Sequence, residues 1–305
     1  MEIVDEVPSA LAGERLDRAV ALLAGVSRSV AATLVAEGFV RVDGNPVADG
    51  KARLALGQSV RIDLAGVPGA VLPEPEPDVA VPVVHVDEHI VVVDKPAGLV
   101  VHPATGHEHG TLVNGLLARF PEIAGVGEPS RPGIVHRLDA GTSGLLVVAR
   151  SARAYDVLRS ALARREVDRT YDALVWGHPS ATSATIDAPI GRSPHDPLKM
   201  AVVVGGKPAR THVTVVETFS EPALAHVRCT LESGRTHQIR VHLAAVGHPV
   251  VGDLQYGTKR SEELLGRPFL HASRLGLQHP VSGEHLVFHS PLPGDLRDVL
   301  DGLRR

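Results

Sequence analysis

The carboxylate of Asp139 lies in the segment whose residue types are best suited to chemistry. This segment, PGIVHRLDAGTSG (residues 132–144), is rich in glycine and hydroxyl side chains and runs directly into the apolar sequence LLVVA. A carboxylate at the entrance of a buried strand can face a cleft while the strand anchors it. To stay ionised away from water, it needs a cation or hydrogen-bond donors nearby. The chain must therefore supply a partner for Asp139.

A second segment offers such a cation. Residues 233–243, SGRTHQIRVHL, indicate a turn followed by a helix that begins near Thr236 and closes at Gly247. At helical spacing Thr236, Arg240 and Leu243 fall on one face. Arg240 can therefore point inward beside apolar neighbours. A buried arginine without a carboxylate partner would be costly. Arg240 therefore needs an acidic partner, just as Asp139 needs a basic one.

The 17 histidines do not indicate a metal site. His237 and His242 are five residues apart, which places them on different helix faces, unlike the four-residue spacing of HExxH. His107 and His109 lie between glycines, close to His102, and are typical of an exposed loop. We therefore expect no metal.

Serine hydrolysis and nucleotide triphosphate binding are also unsupported. Ser143 has no surrounding Gly-x-Ser-x-Gly elbow. Gly205-Gly206-Lys207 lacks the preceding glycine of a P-loop. Neither function class is expected.

Composition bounds the remaining choices. A chain of 305 residues with 44% hydrophobic residues can build a large domain and a small one, with a core mainly of Val, Leu, Ala and Ile because aromatics are only 3%. The single cysteine, Cys229, excludes an internal disulfide framework and fits a reducing compartment. The acidic start is not a secretory signal, and no run approaches the roughly 18 apolar residues of a membrane helix. We expect a cytoplasmic protein, monomeric and without a membrane partner.

The first 66 residues predict a small module of two helices and a sheet. Residues 16, 19, 20 and 23 are apolar at helical spacing, and Ser27 is placed to cap a second helix that stops at Gly38. Residues 39–42 and 59–64 predict strands, with a tight turn at Asp43-Gly44. Residues 67–82, VPGAVLPEPEPDVAVP, are rich in Pro and acidic residues and predict a linker.

Residues 83–305 predict a second, larger domain. Residues 83–86 and 90–94 indicate a hairpin, Thr111 is placed to cap a helix that runs through Arg119, and Ser151 to cap another helix. Strands are predicted over residues 144–149, 170–176, 211–218, 224–231 and 285–289. Hairpins outnumber strand–helix–strand repeats, so we predict an α+β fold with a mostly antiparallel mixed sheet flanked by helices.

Four motifs in this domain resemble the RluA/RluD family of RNA pseudouridine synthases. They are DKPAGLVVHP (residues 94–103), HRLDAGTSG (136–144), RTYDALVWG (169–177) and ESGRTHQIRVHLAAVGHPVVGD (232–253), and they occur in the family's order. The resemblance implies the pseudouridine synthase fold and isomerisation of uridine in structured RNA. That reaction breaks the bond between uracil and ribose and rejoins the base through its carbon 5, so no cofactor is required.

The resemblance also implies roles for site residues. Asp139 would be the catalytic carboxylate, Arg240 its partner, and Tyr171 would stack against the target base. Arg137 would fill the gap left by the flipped nucleotide, and Ile239 would wall the pocket. The remaining substrate-binding candidates are His136, Leu138 and Arg235. The residues do not decide whether the carboxylate is a nucleophile or a base.

The N-terminal module resembles the RNA-binding domain named after ribosomal protein S-four, over about residues 14–64, from ERLDRAVA to the final VRIDL. The net charge of −4 gives no bulk attraction for RNA, so contacts must come from local cations. The resemblance implies that these are Arg28, Arg41, Lys51 and Arg53.

The branch of the family with this N-terminal module implies a substrate. It points to large-subunit ribosomal RNA, naked or in a pre-ribosomal particle. Two alternatives remain open: a non-catalytic RNA-binding protein of ribosome assembly, and a synthase directed at transfer RNA.

Overall fold

The computed structural model describes residues 2–26, 28–63, 72–103, 107–196, 199–257 and 264–305. Contacts divide the chain into two units, Met1–Leu72 and Pro73–Arg305. Each unit has its own hydrophobic core, as expected of an independently packed domain.

The first unit packs two helices on a four-stranded antiparallel sheet. Helices α1 (Leu16–Ala24) and α2 (Arg28–Ala36) lie where the sequence indicated, and Gly38, with φ of 82°, follows the second. In α1, Leu16, Ala19 and Val20 are buried, and Leu23 is half-buried against the same core. The strands are β1 (Glu2–Glu6), β2 (Val40–Val42), β3 (Asn45–Pro46) and β4 (Ser59–Asp63), in the order β1-β4-β2-β3. Ser27 and Leu64 lie outside the described residues, so the predicted cap and the last predicted strand residue stay predictions.

Among the described residues, no single helix is both long enough and apolar enough to cross a membrane. Helices α1 and α2 together satisfy those two criteria, but the chain bends by 114° between them.

The second unit contains a large mixed sheet. Its strands within the described residues are β5 (Val83–Val86), β6 (Ile90–Lys95), β7 (Ser143–Ala149), β8 (Asp168–Trp176), β9 (Ser183–Asp187), β12 (Arg210–Phe219), β13 (Leu224–Leu231), β14 (Leu270–Gln278) and β15 (His285–His289). The order is β5-β6-β7-β14-β8-β13-β12-β9, with β15 also paired to β14. Of these pairs, β7 with β14 is parallel and the others are antiparallel. This architecture confirms the α+β prediction.

Helices and a small ribbon complete this unit. The helices are α3 (Leu112–Arg119), α4 (Ala152–Ala163), α5 (Gln238–Ala245) and α6 (Gly294–Leu303), and β10 (Ile190–Arg192) pairs with β11 (Met200–Val202). Thr111 and Ser151 occupy the predicted N-cap positions of α3 and α4. Residues 73–82 of the predicted linker belong to this unit, where the Asn114 side-chain amide donates to the Glu74 carbonyl at 2.8 Å. Residues 67–71 lie outside the described part of the chain.

The sheet is covered on both faces, which explains its apolar strands. Along β7, Leu146 and Val148 join the core that contains α3, whereas Leu145 and Val147 join the core that contains α4. Every residue of β7 is therefore buried. Strands buried on both faces carry continuous apolar runs instead of alternation.

The start of β7 requires a glycine. Gly144 has φ of 113°, and a Cβ atom there would lie 2.3 Å from the Ala272 carbonyl oxygen of the parallel neighbour β14. This close approach fixes the strand directly after the loop that carries Asp139.

Candidate active site

A cleft of about 340 Å³ opens in the second unit, where the loop before β7, strand β8 and the turn before α5 meet. The structure brings together at this cleft all eight residues of this unit that the sequence assigned to catalysis or substrate binding. They are His136, Arg137, Leu138, Asp139, Tyr171, Arg235, Ile239 and Arg240.

Asp139 and Arg240 form an ion pair inside the cleft. The Arg240 Nη1 atom donates to Asp139 Oδ2 at 3.1 Å. The Asp139 side chain is 18% exposed and that of Arg240 is 9% exposed, so the carboxylate reaches the cleft while the guanidinium lies behind it. Charge-assisted hydrogen bonds of this kind favour the ionised carboxylate and fix its orientation.

A second carboxylate holds Arg240 from the other side. Asp253, fully buried, accepts from Arg240 Nε at 2.7 Å and from Nη2 at 2.8 Å, and Gln255 Oε1 accepts from Nη2 at 3.2 Å. Burial lowers the pKa of Arg240, but the hydrogen bonds and charges of Asp253 and Asp139 outweigh burial and raise it. Arg240 is therefore a permanently charged, rigid partner for Asp139. Asp253 is the last residue of the motif at 232–253, but the sequence alone gave it no role.

The turn before α5 is held by Gln238. Its Oε1 atom accepts from the Ser233 hydroxyl at 2.8 Å and from the Arg235 N–H at 3.0 Å. Its Nε2 atom donates to the Arg210 carbonyl and to the Thr211 hydroxyl, each at 3.0 Å. These bonds tie the turn to β12 and thereby aim the first turn of α5 at the cleft.

Helix α5 begins two residues later than predicted. It starts at Gln238 and not near Thr236, because His237 has φ of 56° in the left-handed region. Such a conformation is costly for a residue other than glycine and needs surrounding contacts to hold it. Here His237 Nδ1 is 2.8 Å from the Tyr256 hydroxyl oxygen, and Nε2 is 3.9 Å from Asp139 Oδ1. Burial lowers the pKa of His237, and Asp139 opposes that shift.

Strand β8 supplies Tyr171. The residue is 5% exposed, and its strand is flanked by β13 and β14, so the ring is fixed at the wall of the cleft. Burial raises the pKa of the Tyr171 hydroxyl; Arg169 opposes that shift and Asp139 adds to it. The phenol is thus neutral near neutral pH.

The other predicted residues divide into wall and rim. Leu138 and Ile239 are each 4% exposed and belong to the core cluster that includes Tyr171. His136 Nε2 accepts from the Val147 N–H at 3.1 Å, and burial together with Arg169 lowers the pKa of this histidine to about 3. Its role in the described geometry is to anchor the loop as a neutral ring. Arg137 and Arg235 are exposed at the rim.

Two family models match this chain. One, described as RNA pseudouridylate synthase, matches residues 89–245, which contain the ion pair and the cleft-lining strand. The other, the S4 domain, matches residues 14–60. The chain belongs to the RNA pseudouridylate synthase family. It is an isomerase that converts uridine to pseudouridine in RNA, as the four motifs implied.

Similar proteins cover nearly the whole chain. An uncharacterized RNA pseudouridine synthase of Chloroflexus aurantiacus is 48% identical over 99% of this chain and 94% of that protein. A protein of Pseudomonas aeruginosa named ribosomal large subunit pseudouridine synthase D is 43% identical over 98% of this chain and 95% of its own. The solved structure of human RNA pseudouridylate synthase domain containing 1 superposes with a TM-score of 0.57 at 28% identity, over 76% of this chain and 97% of that one. These likenesses confirm the predicted family and fold.

The predicted RNA-facing cations of this synthase's first unit are all exposed: Arg28, Arg41, Lys51 and Arg53. Three of them have partners within the unit. Arg28 lies 3.2 Å from the Asp17 carboxylate, which also pairs with Arg15. Arg53 donates to the Gly13 carbonyl at 2.6 Å and Arg41 to the Gly44 carbonyl at 3.4 Å. Their role in RNA binding stays a prediction.

Lys95 is a buried cation of the synthase that sequence reasoning quoted within a motif but did not assign. It is fully buried, and its Nζ atom donates to the carbonyls of Pro96, Leu99 and Ala140 at 2.9, 2.7 and 3.2 Å. Burial lowers the pKa of Lys95 to about 7, and Asp139 opposes that shift. The three carbonyl acceptors match the three donors of an ammonium group, so Lys95 ties residues 96–99 to the loop that carries Asp139.

Proposed function

We propose that this synthase modifies uridines of large-subunit ribosomal RNA and that Asp139 is its catalytic carboxylate. The observation that carries the second part is the placement of Asp139 in the cleft, 3.1 Å from an arginine that Asp253 holds from behind. The first part is supported by the relatives named ribosomal large subunit pseudouridine synthase D, which match nearly the full chain, including one from Nitrosomonas europaea that is 44% identical.

The geometry supports a mechanism that begins with the target nucleotide leaving its stack. Unstacking costs a few kcal/mol. We infer that Arg137, which is exposed at the rim, occupies the gap. The uracil then enters against Tyr171, with Leu138 and Ile239 as apolar walls. These walls exclude water and keep the base in the cleft after its bond to the ribose is broken.

Asp139 then acts on the ribose. As a nucleophile it bonds to carbon 1′ while the uracil leaves; as a base it removes the proton of carbon 2′ while the uracil leaves. Both routes use the ionised carboxylate that Arg240 orients. The uracil then turns and its carbon 5 bonds to carbon 1′. On the first route the bond between Asp139 and carbon 1′ breaks at this step, and on the second Asp139 returns the proton to carbon 2′. The proton of carbon 5 is lost to solvent and nitrogen 1 gains one, so the carboxylate is regenerated.

Tritium release tests this proposal. RNA labelled with tritium at carbon 5 of uridine releases label when the new bond forms. We expect the full-length enzyme to release label from large-subunit ribosomal RNA or pre-ribosomal particles and not from transfer RNA. Release from transfer RNA alone would overturn the substrate assignment, and release from no RNA would leave the alternative of an RNA-binding assembly protein.

Asp139→Asn tests the catalytic assignment. The amide keeps the shape but can neither attack the sugar nor remove its proton, so the rate should fall by about 10⁴-fold with RNA affinity nearly unchanged. Asp298→Asn, at an exposed position of α6, is the matched control and should keep the normal rate. A near-normal rate in Asp139→Asn would remove Asp139 from the mechanism.

A further inference from the structure

Arg169 is a buried cation that lacks a partner within the described residues. The residue is only 6% exposed, and its Nε atom is buried with no hydrogen-bond partner among the described residues. No described carboxylate lies within ion-pair distance of its guanidinium, in contrast to Arg240 with its two carboxylates. Burial accordingly lowers the pKa of Arg169. Of the five N–H donors of this guanidinium, the one on Nε is buried away from water, and leaving a buried donor unsatisfied is costly.

The position of Arg169 indicates where a hydrogen-bond acceptor for its guanidinium would bind. Side chains two residues apart on a strand point to the same face, so Arg169 and Tyr171 of β8 both line the cleft. The space for the guanidinium depends on Gly234, where a Cβ atom would lie 2.7 Å from Arg169 Nη1. Gly234 belongs to the turn that also positions Arg240. The cleft thus holds a guanidinium that has no carboxylate partner among the described residues.

The depth of Arg169 separates it from the other cations of the cleft. Arg137, Arg159 and Arg235 are exposed at the rim, where backbone phosphates of a bound RNA can reach them. Arg169 lies instead beside Tyr171 and the neutral ring of His136. With the uracil against Tyr171, as proposed above, the wall formed by these residues faces the base and not the RNA backbone.

We propose that Arg169 donates a hydrogen bond to a carbonyl oxygen of the target uracil and stabilises the negative charge that the base acquires when its bond to ribose breaks. The proposal rests on one part of the proposed function, that the target uracil enters this cleft. When the bond between carbon 1′ and uracil nitrogen 1 breaks, its electron pair stays with the uracil and spreads to the two carbonyl oxygens. This holds whether Asp139 bonds to carbon 1′ or takes the proton of carbon 2′. A desolvated guanidinium aimed at one of those oxygens lowers the energy of the step.

The test compares three full-length variants with the wild type. Arg169→Met removes charge and donors at similar volume, Arg169→Lys keeps the charge with fewer donors, and Arg297→Met makes the same change at an exposed position of α6. Total cellular RNA tritiated at carbon 5 of uridine, from cells lacking the protein, serves as substrate under excess enzyme. The single-turnover rate, the RNA affinity and its salt dependence, and the melting temperature are measured for each.

We expect Arg169→Met to lower the single-turnover rate by about 100-fold or more, the effect of removing one donor to a developing oxyanion. RNA affinity and its salt dependence should stay the same, Arg169→Lys should recover part of the rate, and Arg297→Met should match the wild type. The melting temperature of Arg169→Met should be equal or higher, because an unpaired buried charge is removed. In transcripts with sulfur replacing one uracil carbonyl oxygen, the wild type should slow and Arg169→Met should not slow further.

Three results would overturn the proposal. A weaker affinity with a salt slope reduced by about 1, at unchanged rate, would assign Arg169 to an RNA phosphate. A large loss of stability would show that Arg169 has a structural role, and an unchanged rate would show that it has none in the reaction. Asp139→Asn is run in parallel: if it keeps the rate while Arg169→Met loses it, the carboxylate assignment fails and the Arg169 assignment stands.

Discussion

Asp253→Asn should be the most informative substitution behind the site, since Asp253 accepts two of the four hydrogen bonds that hold the Arg240 side chain. In the wild type, Asp253 Oδ1 accepts from Arg240 Nη2 and from the N–H groups of Gln255 and Tyr256, and Oδ2 accepts from Arg240 Nε. With the amide oxygen kept on the crowded side, the new NH₂ group faces Arg240 Nε, donor against donor. One strong hydrogen bond is removed, and the buried guanidinium keeps only Asp139 as a charged partner.

The expected cost is about 3–5 kcal/mol in the free energy of unfolding, the usual result of leaving a buried charge uncompensated. For a unit of this size, that corresponds to a melting temperature lower by roughly 10 °C. Urea or thermal unfolding, followed with a probe in the second unit, measures it. The rate at saturating RNA should also fall by roughly 100-fold, because Arg240 no longer holds Asp139 in one geometry.

Asp295→Asn is the matched control. Asp295 also makes two hydrogen bonds to one arginine, Arg267, at 2.6 and 2.9 Å, but its side chain is 46% exposed. Exposed pairs are typically worth about 1 kcal/mol or less, so this variant should stay near wild-type stability. If Asp253→Asn loses no more stability than Asp295→Asn, the clamp on Arg240 is not what we infer from its geometry.

Three further predictions concern the scaffold, the first unit and pH. Gly144→Ala should lower the free energy of unfolding by about 3 kcal/mol or more, because the residue has a positive φ and a Cβ atom there would clash with the Ala272 carbonyl. The control Gly302→Ala lies in α6 with open space around it and should be neutral or stabilising. His136 has a pKa of about 3 in the folded chain, below the usual 6.5, so the unfolded chain binds a proton there that the folded chain cannot. The free energy of unfolding should therefore fall as the pH drops from 6.5 towards 3, by up to about 1.4 kcal/mol per pH unit. His136→Gln should flatten that fall in urea titrations. The predicted cations of the first unit, replaced together by Gln, should weaken the salt dependence of RNA binding. The slope of log affinity against log salt should fall by about 1 for each phosphate no longer neutralised, and the rate at saturating RNA should stay the same; an unchanged slope would refute their role. Those cations are Arg28, Arg41, Lys51 and Arg53.

The local elements with clear periodicity could be predicted from the sequence. The hairpin of β5 and β6, the capped helices α3 and α4, and both helices of the first unit follow from apolar spacing and cap residues. The central strand β14 could not, because His271, Ser273 and Arg274 interrupt its apolar pattern and the pairing with β8 shifts register there. Strands β1, β3, β9, β10 and β11 were also missed, since they are short or largely exposed and carry little of the alternation that marks a half-buried strand.

The candidate site shows the same limit. A resemblance could pair Asp139 with Arg240 across 101 residues, but nothing in local spacing shows that the chain returns at Asp253 to hold the arginine from behind. The left-handed His237 was equally hidden, because its sequence neighbours suit a helix and only contacts with Tyr256 and the cleft fix its conformation. Tertiary contacts determine these features, and local helix propensity is too weak to predict them from the sequence.

The net charge of −4 would argue against an RNA substrate, yet the cleft resolves that conflict locally. Within the described residues it is lined by six arginines and two carboxylates. Glu128 is paired with Arg131 and Asp139 with Arg240, which leaves four guanidinium charges without a carboxylate in the lining. Three of these lie at the exposed rim, where a polyanion first arrives, and the fourth, Arg169, lies at depth. Since charges farther away than about 10 Å are screened by salt, this local excess and not the sum over the chain decides whether RNA is attracted to the site.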